Sequence, residues 1–320
     1  MTTVLPRLAL ALAALLMVPL SCRPIDGTGV VSPSEFLSSL RALGQPGEAK
    51  TEFILPRTVT LCGETLPLDR PSVRERLEAE FQLAANHRAQ VELWRRRAKR
   101  FFPLIEAALR QAGLPDDLKY LAVAESDLRP TVSSPAGATG LWQFMPATAR
   151  HFGLTVNKDL DLRMLPEPLL AIGIKYLSSL RSQFGSWSLA MAAYNSGEAR
   201  VARALAREPA GADYFQLSLP RETERYVYRI AAIKMVMENA GQYGFSDSPP
   251  PALYRPVEFA EASLSFPSPV SWAALARELG CDYKTLRLLN PHLGGLAVLA
   301  GGPFALRLPP GTKAPPSIGT

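Results

Sequence analysis

The stretch Leu118-Lys119-Tyr120-Leu121-Ala122-Val123-Ala124-Glu125-Ser126, followed by the loop Ser134-Pro135-Ala136-Gly137-Ala138-Thr139-Gly140-Leu141-Trp142-Gln143-Phe144-Met145-Pro146, decides how this chain is read. Leu118, Leu121, Ala122 and Glu125 stand at i, i+3, i+4 and i+7, so on a helix they share one face. That face is apolar, and a carboxyl on it loses water. Desolvation disfavours the charged form and raises the pKa. A carboxylic acid that keeps its proton near neutral pH is suited to general-acid work. The plain reading of a lone buried glutamate is a helix anchor or the partner of an arginine. The small-residue loop and the Trp-Gln pair that follow favour a site.

Within the loop, Gly137-Ala138-Thr139-Gly140 lets backbone approach a ligand closely, as glycine permits, or else makes a simple tight turn. Gln143 offers a donor and an acceptor suited to an acetamido sugar. Trp142 and Met145 offer apolar surface for a sugar face, or else ordinary core. Far downstream, Ala193-Tyr194-Asn195-Ser196-Gly197 closes the apolar stretch Leu189-Ala190-Met191-Ala192-Ala193. A phenol and an amide side by side there need partners if buried; alternatively, Asn195 and Gly197 only terminate a helix. Asp127, two residues beyond Glu125, points away along a helix. The next acid in the two clusters is Glu198. An ordinary glycosidase flanks the scissile bond with two carboxylates, so this pattern hints at chemistry with one.

Outward from these clusters, 320 residues suffice for about two domains. A hydrophobic share of 47% is that of a globular chain. A net charge of +6 and a pI near 9.3 call for an acidic partner: nucleic acid, a membrane surface or an anionic polymer. The N-terminus narrows that choice. Arg7 precedes an apolar run from Leu8 to Leu20, too short for a comfortable membrane span, which reads as an export signal over residues 1–22. Ser21-Cys22 resembles a lipoprotein processing site, so attachment to a membrane through lipidated Cys22, plain secretion and an uncleaved anchor all stand. Each exports the chain and counts against nucleic acid. Cys62 and Cys281 remain as an even pair, open to a disulfide in an oxidising compartment. Three His residues and no Cys/His cluster argue against a metal site, and no cofactor is expected.

Residues 23–70 are rich in turn formers and read as a loose leader with short strand-like pieces such as Val59-Thr60-Leu61-Cys62. From Pro71 to about Gln111 the apolar spacing is helical. The run Arg95-Arg96-Arg97-Ala98-Lys99-Arg100 within it reads as a solvated helix face, or as a contact for an anionic wall polymer. Residues 112–245 look all-helical. Pro130 is expected to stop one helix, Pro168 to open another that closes at Gly185, and a last one to run from Glu222 to Ala240. Pro249-Pro250-Pro251 marks a domain boundary. The order over 253–310 is β-α-α-β on a small scale. The expected organisation is an N-terminal extension with leading helix over 23–95, a helical catalytic domain over 96–248, a small α+β module over 253–310 and a tail over 311–320. The fold class is mainly α.

Glu125-Ser126, Gly137 to Gln143 and Ala193 to Gly197 resemble the signature motifs of the lytic murein transglycosylases with a goose-type-lysozyme-like domain. Leu219-Pro220-Arg221-Glu222-Thr223-Glu224-Arg225-Tyr226-Val227 resembles a further stretch of one membrane-bound subgroup, and the resemblance covers about residues 70–245. It implies a lysozyme-like fold and peptidoglycan glycan strands as partner. The expected reaction is cleavage of the MurNAc–GlcNAc β-1,4 bond, with Glu125 as single acid and base and a 1,6-anhydro product. It implies that Ser126, Gly140, Gln143, Met145, Tyr194, Asn195 and Tyr226 line or position the substrate site. Asp161-Leu162-Arg163-Met164-Leu165-Pro166 departs from the subgroup's pattern at the cleft edge. The 253–310 module resembles LysM in Leu275-Ala276, Leu286, Leu289-Asn290 and Leu308-Pro309, without the usual Gly-Asp-Thr opening. A hydrolytic muramidase on the same fold and a non-catalytic wall-binding protein are the alternatives.

Overall fold

The computed structural model describes residues 53–245, 254–294 and 298–312. The export signal with Cys22, the Pro249-Pro250-Pro251 boundary and the chain after 312 lie outside the described residues. The described chain belongs to one unit, Thr51–Thr320, mainly α-helical and with a small α+β region at its C-terminal end, the expected fold class.

Helix α1 (Pro71–Asn86) opens on proline and buries Val73, Leu77, Phe81, Ala84 and Ala85, a helical stripe. The long helical segment expected over 71–111 is broken at His87, whose φ −87° and ψ 59° leave the helical region. Helix α2 (Arg88–Gln111) resumes there and buries Val91, Trp94, Ala98, Phe101, Ile105 and Leu109. After a 3-10 turn at Asp116–Leu118 comes α3 (Lys119–Ser126), whose buried face includes Leu121 and Ala122. It stops before Pro130. Asp127 and Leu128 take left-handed φ of 54° and 57°, held by Trp94 Nε1 on Asp127 Oδ1 (2.8 Å) and Arg97 on Asp127 O (3.0 Å). Left-handed backbone costs a non-glycine residue about 1–2 kcal/mol, so this ending depends on partners from α2.

Helices α4 (Pro146–His151) and α5 (Pro166–Phe184) follow. Helix α5 starts two residues before Pro168 because Pro166 already suits a first turn; it closes on Gly185 as expected. Helix α6 (Trp187–Ser196) and α7 (Glu198–Leu205) meet at Gly197, φ 88°. Helix α8 (Arg221–Glu238) ends two residues before the expected Ala240, where Asn239 leaves the helical region, and a separate 3-10 turn then runs through Tyr243 to left-handed Gly244.

Residues 53–70 are not a loose leader. Leu55, Val59, Leu61, Cys62, Leu66 and Leu68 are buried in the same core as the helices. A hairpin of β1 (Thr60–Leu61) and β2 (Glu64–Thr65) presents Glu64 to the start of α6, where its carboxylate accepts from the Trp187 and Ser188 N–H groups. An anion there also meets the positive end of the helix. Asp117 in turn accepts from Cys62 N–H and Lys234.

The C-terminal region pairs β3 (Ala260–Ser271) antiparallel with β4 (Val298–Leu308), in register at Ala260 and Leu308. Between them lie α9 (Trp272–Glu278) and α10 (Tyr283–Leu289). Leu264, Phe266, Trp272, Leu275, Leu286, Leu299 and Leu306 form a second core. Asp161 N–H donates to His292 O (2.8 Å), Arg307 pairs with Glu167 (2.6 Å), and Leu160 packs against that core. Cys62 and Cys281 are both free thiols, each seated in a different core, so the pairing left open by the sequence does not form.

Candidate active site

Glu125 lies in the last turn of α3, half-buried. Burial raises its pKa from 4.5 to about 7; the Tyr226 hydrogen bond and the nearby Arg229 charge pull the other way, and Glu222 adds a smaller push upward. Tyr226, buried on α8, donates its hydroxyl to Glu125 Oε1. Burial, and then the Glu125 charge, hold the Tyr226 phenol well above its usual range, so it remains a donor. Tyr194 near the end of α6 is held up in the same way, first by burial and then by Glu125, and donates to Trp142 O. Its ring packs on Phe144 (centroids 5.8 Å apart, edge-on) and on Tyr176 (5.5 Å).

The loop after α3 is fastened from several sides. Ser126 is buried, and its hydroxyl reaches Leu141 O (2.8 Å) as well as Ala122 O. Ser126 therefore ties helix to loop and holds Glu125's neighbour in place. Gln143 has φ 46° and donates from Nε2 to Val132 O (3.0 Å) and Gly140 O (2.9 Å). This commits to the loop the donor the sequence reading assigned to a sugar. Gly140 approaches protein, not ligand: at φ 91°, an added Cβ would sit 2.1 Å from Arg163 O and 2.5 Å from the Leu169 side chain. Trp142 is core. It is 1% exposed, and a Cβ on Gly173 would lie 2.3 Å from its ring, so it cannot stack on a sugar. Met145, by contrast, is 43% exposed at the start of α4, where a ligand can meet it. Asn195 Oδ1 accepts from Thr223 Oγ1 (2.8 Å), linking the end of α6 to the first turn of α8.

The structure thus gathers Glu125, Tyr226 and Tyr194, and puts Ser126, Gly140 and Gln143 beneath them as support. Sequence reasoning missed Arg163. Its guanidinium is buried, pairs with Asp161 (2.7 and 2.9 Å), and donates to Gly137 O (2.8 Å) and Phe144 O (2.7 Å). The segment singled out only as a departure from a family pattern is the brace of the loop. Arg229 and Glu222, one helical turn from Tyr226 on either side, were also missed as electrostatic neighbours of Glu125. The i−4 and i+3 spacing from Tyr226 was the signal that could have found them. Tyr226, Glu222 and Arg229 line a cavity of about 720 Å³ together with Trp94 and Asp127. Among the described residues no cluster of His, Cys, Asp and Glu could hold a metal ion.

Residues 102–216 match the family model of the transglycosylase SLT domain, so the chain carries an SLT domain, as the motifs of the loop and of α6 led us to expect. The match stops short of α8, which supplies Tyr226. The chain is similar to membrane-bound lytic murein transglycosylase D of Escherichia coli (strain K12), 29% identical over 251 residues, covering 77% of this chain and 54% of that protein. It is also similar to the soluble lytic murein transglycosylase of Salmonella typhimurium, 38% identical over 120 residues, 35% of this chain and 19% of that protein. The chain therefore spans about half the length of the first relative and a fifth of the second. Among solved structures, the 70 kDa soluble lytic transglycosylase of Escherichia coli aligns at 23% identity and a TM-score of 0.41, over 65% of this chain and 41% of that one.

Proposed function

We propose that this protein is an exported lytic transglycosylase that cleaves the MurNAc–GlcNAc β-1,4 bond of peptidoglycan without water. The observation that carries the reading is Glu125: a carboxyl lifted to about 7, held by a phenol donor, on a loop-braced helix end inside an SLT domain. The protonated acid gives its proton to the glycosidic oxygen as the C1–O bond breaks. The resulting carboxylate then takes the proton of the muramyl 6-hydroxyl while that oxygen bonds to C1. The 1,6-anhydro ring closes and the acid is restored. The substrate's own acetamido oxygen shields C1 between the two steps, which is the role a second carboxylate plays in ordinary retaining glycosidases. The carboxylate that acts on Glu125, Glu222, is exposed on α8, and Glu198 is engaged by Tyr176.

Met145, Tyr194 and Asn195 are the residues assigned here to the rim and floor of the sugar site, with Ser126, Gly140 and Gln143 as its support. The β-α-α-β module is read as a LysM-like accessory that binds glycan, and lipidated Cys22 or plain secretion delivers the chain to the cell envelope. The test is product mass. Wild-type protein incubated with purified peptidoglycan is expected to release anhydro-muropeptides, each one water lighter than a hydrolytic product, and Glu125→Gln to release none. Hydrated products from wild type would assign a muramidase instead, and no product at all a binding protein.

A further inference from the structure

Residues 160–167 touch the C-terminal region of the chain and also carry the brace of the active-site loop. Arg163 holds that loop through Gly137 O (2.8 Å) and Phe144 O (2.7 Å). Its side chain is 6% exposed, and a guanidinium so far from water depends on its counter-charge. Asp161 supplies that charge with both carboxylate oxygens (2.9 and 2.7 Å). The position of Asp161 is in turn fixed from outside the helical body. Its N–H donates to the carbonyl of His292 (2.8 Å), a buried residue of the C-terminal region. Just upstream, Asn157 Oδ1 accepts from the Asp159 and Leu160 N–H groups (2.9 and 2.8 Å), a tight turn that ends on Leu160. The Leu160 side chain packs against the core that Leu264, Trp272 and Leu286 build. Downstream of the brace, Glu167 in the first turn of α5 pairs with Arg307 of β4 (2.6 Å), whose side chain is 12% exposed. The C-terminal region thus grips the segment on both sides of Arg163.

A lone surface ion pair would matter little. Here a backbone bond, an apolar contact and a partly buried ion pair act on one short segment. The same segment abuts the loop directly, since Arg163 O and the Leu169 side chain leave no room for a Cβ on Gly140. From the loop the path to the acid is short. Leu141 O accepts from Ser126, the neighbour of Glu125, and Trp142 O accepts from Tyr194. Beside these contacts lies an apolar cavity of about 620 Å³, lined by Leu104, Met164 and Pro166 of the helical body and by Val257, Leu288 and Leu289 of the C-terminal region. The two surfaces are unpacked there, so a substitution among the contacts can release the docking. Taking Glu125 as the acid of the proposed reaction, we propose that the β-α-α-β region is a positioning part of the active site. Through Leu160, Asp161 and Glu167 it keeps the Arg163 brace, and with it the loop beside Glu125, in the geometry that turnover needs. This role does not require the region to touch glycan.

The test combines amide hydrogen exchange with turnover, both on the full chain. Thr139, Gly140 and Phe144 donate their N–H groups to loop carbonyls and report its opening. Asp161→Asn, which weakens the brace itself, sets the scale of a loosened loop. Leu160→Asp is expected to speed exchange at these amides about tenfold while α8 keeps its protection. On soluble glycan strands kcat should fall about fivefold and KM stay within about twofold, because a misplaced loop costs the chemical step more than binding. Leu160→Met, which keeps the apolar contact, should restore both. Should Leu160→Asp fold poorly, the milder pair Leu160→Ala with Glu167→Gln takes its place under the same expectations. Loop exchange at the wild-type rate in the undocked chain overturns the proposal. So does exchange that rises equally in α8, or an unchanged kcat with the loop open. A wild type that releases no product sinks the proposed reaction alone, and loop exchange still decides whether the C-terminal region holds the brace.

Discussion

At the scale of the residue, everything turns on how Glu125 keeps its proton. Burial lifts it to about 7, above its ordinary value of 4.5. Between those two pH values the unfolded chain has lost the proton and the folded chain still holds it, so the native state binds more protons and stability falls as pH rises through this window. Glu125→Gln removes that cost while its amide oxygen still accepts from Tyr226. The variant is expected to be more stable than wild type by about 1–2 kcal/mol at pH 8, with the gap closing toward pH 4.5, as read by urea melts at both pH values. Activity should follow the same proton, with kcat/KM dropping about tenfold per unit above pH 7. Tyr226 lowers the Glu125 pKa through its hydrogen bond, so Tyr226→Phe should move that falling limb to higher pH. Loss of a bond to an ionisable partner should also cut the maximum roughly tenfold. A pH–rate profile of the two proteins checks both; an unmoved limb would mean the phenol does not govern the acid.

At the scale of the element, the site is a helix end and a loop that cannot hold themselves. Helix α3 ends on two left-handed residues, and the loop depends on Ser126, Gln143 and Arg163 for its carbonyl partners. Gly140→Ala would put a methyl carbon against the Arg163 carbonyl in a backbone region alanine rarely adopts. It is expected to cost about 2–4 kcal/mol and to lower the melting temperature. The apolar stripe of α3, the proline and glycine punctuation of α5 and the polar end of α6 were legible in sequence because local spacing and capping carry them. The ending at Asp127 was not, because Trp94 and Arg97, which enforce it, are about 30 residues away. For the same reason Gln143 and Gly140 were read as facing a ligand. A polar side chain or a glycine in a loop announces that something is close, but not whether that thing is substrate or the protein's own backbone.

At the scale of the whole molecule, two cores share the described chain, one built from residues 55–245 and one from the β-α-α-β region. Contacts such as Arg307 with Glu167 and Asp161 with His292 join them at the surface. Leu286 is fully buried in the smaller core, and Leu286→Ala is expected to destabilise that region by about 2–4 kcal/mol. Calorimetry should show a smaller transition moving down while the main one stays; a single transition shifting as a whole would mean that the cores melt together. The hairpin before α1 has a different reach. Glu64 caps α6 across 123 residues, and Tyr226 meets Glu125 across 101. Contacts so distant in sequence are slow to form, since the intervening chain must be closed before they hold. Glu125 therefore acquires its phenol, and α6 its cap, only when nearly the whole helical body has come together. A chain still folding carries the glutamate without its phenol, so on the proposed reaction competence to cut arrives with the native state, not ahead of it.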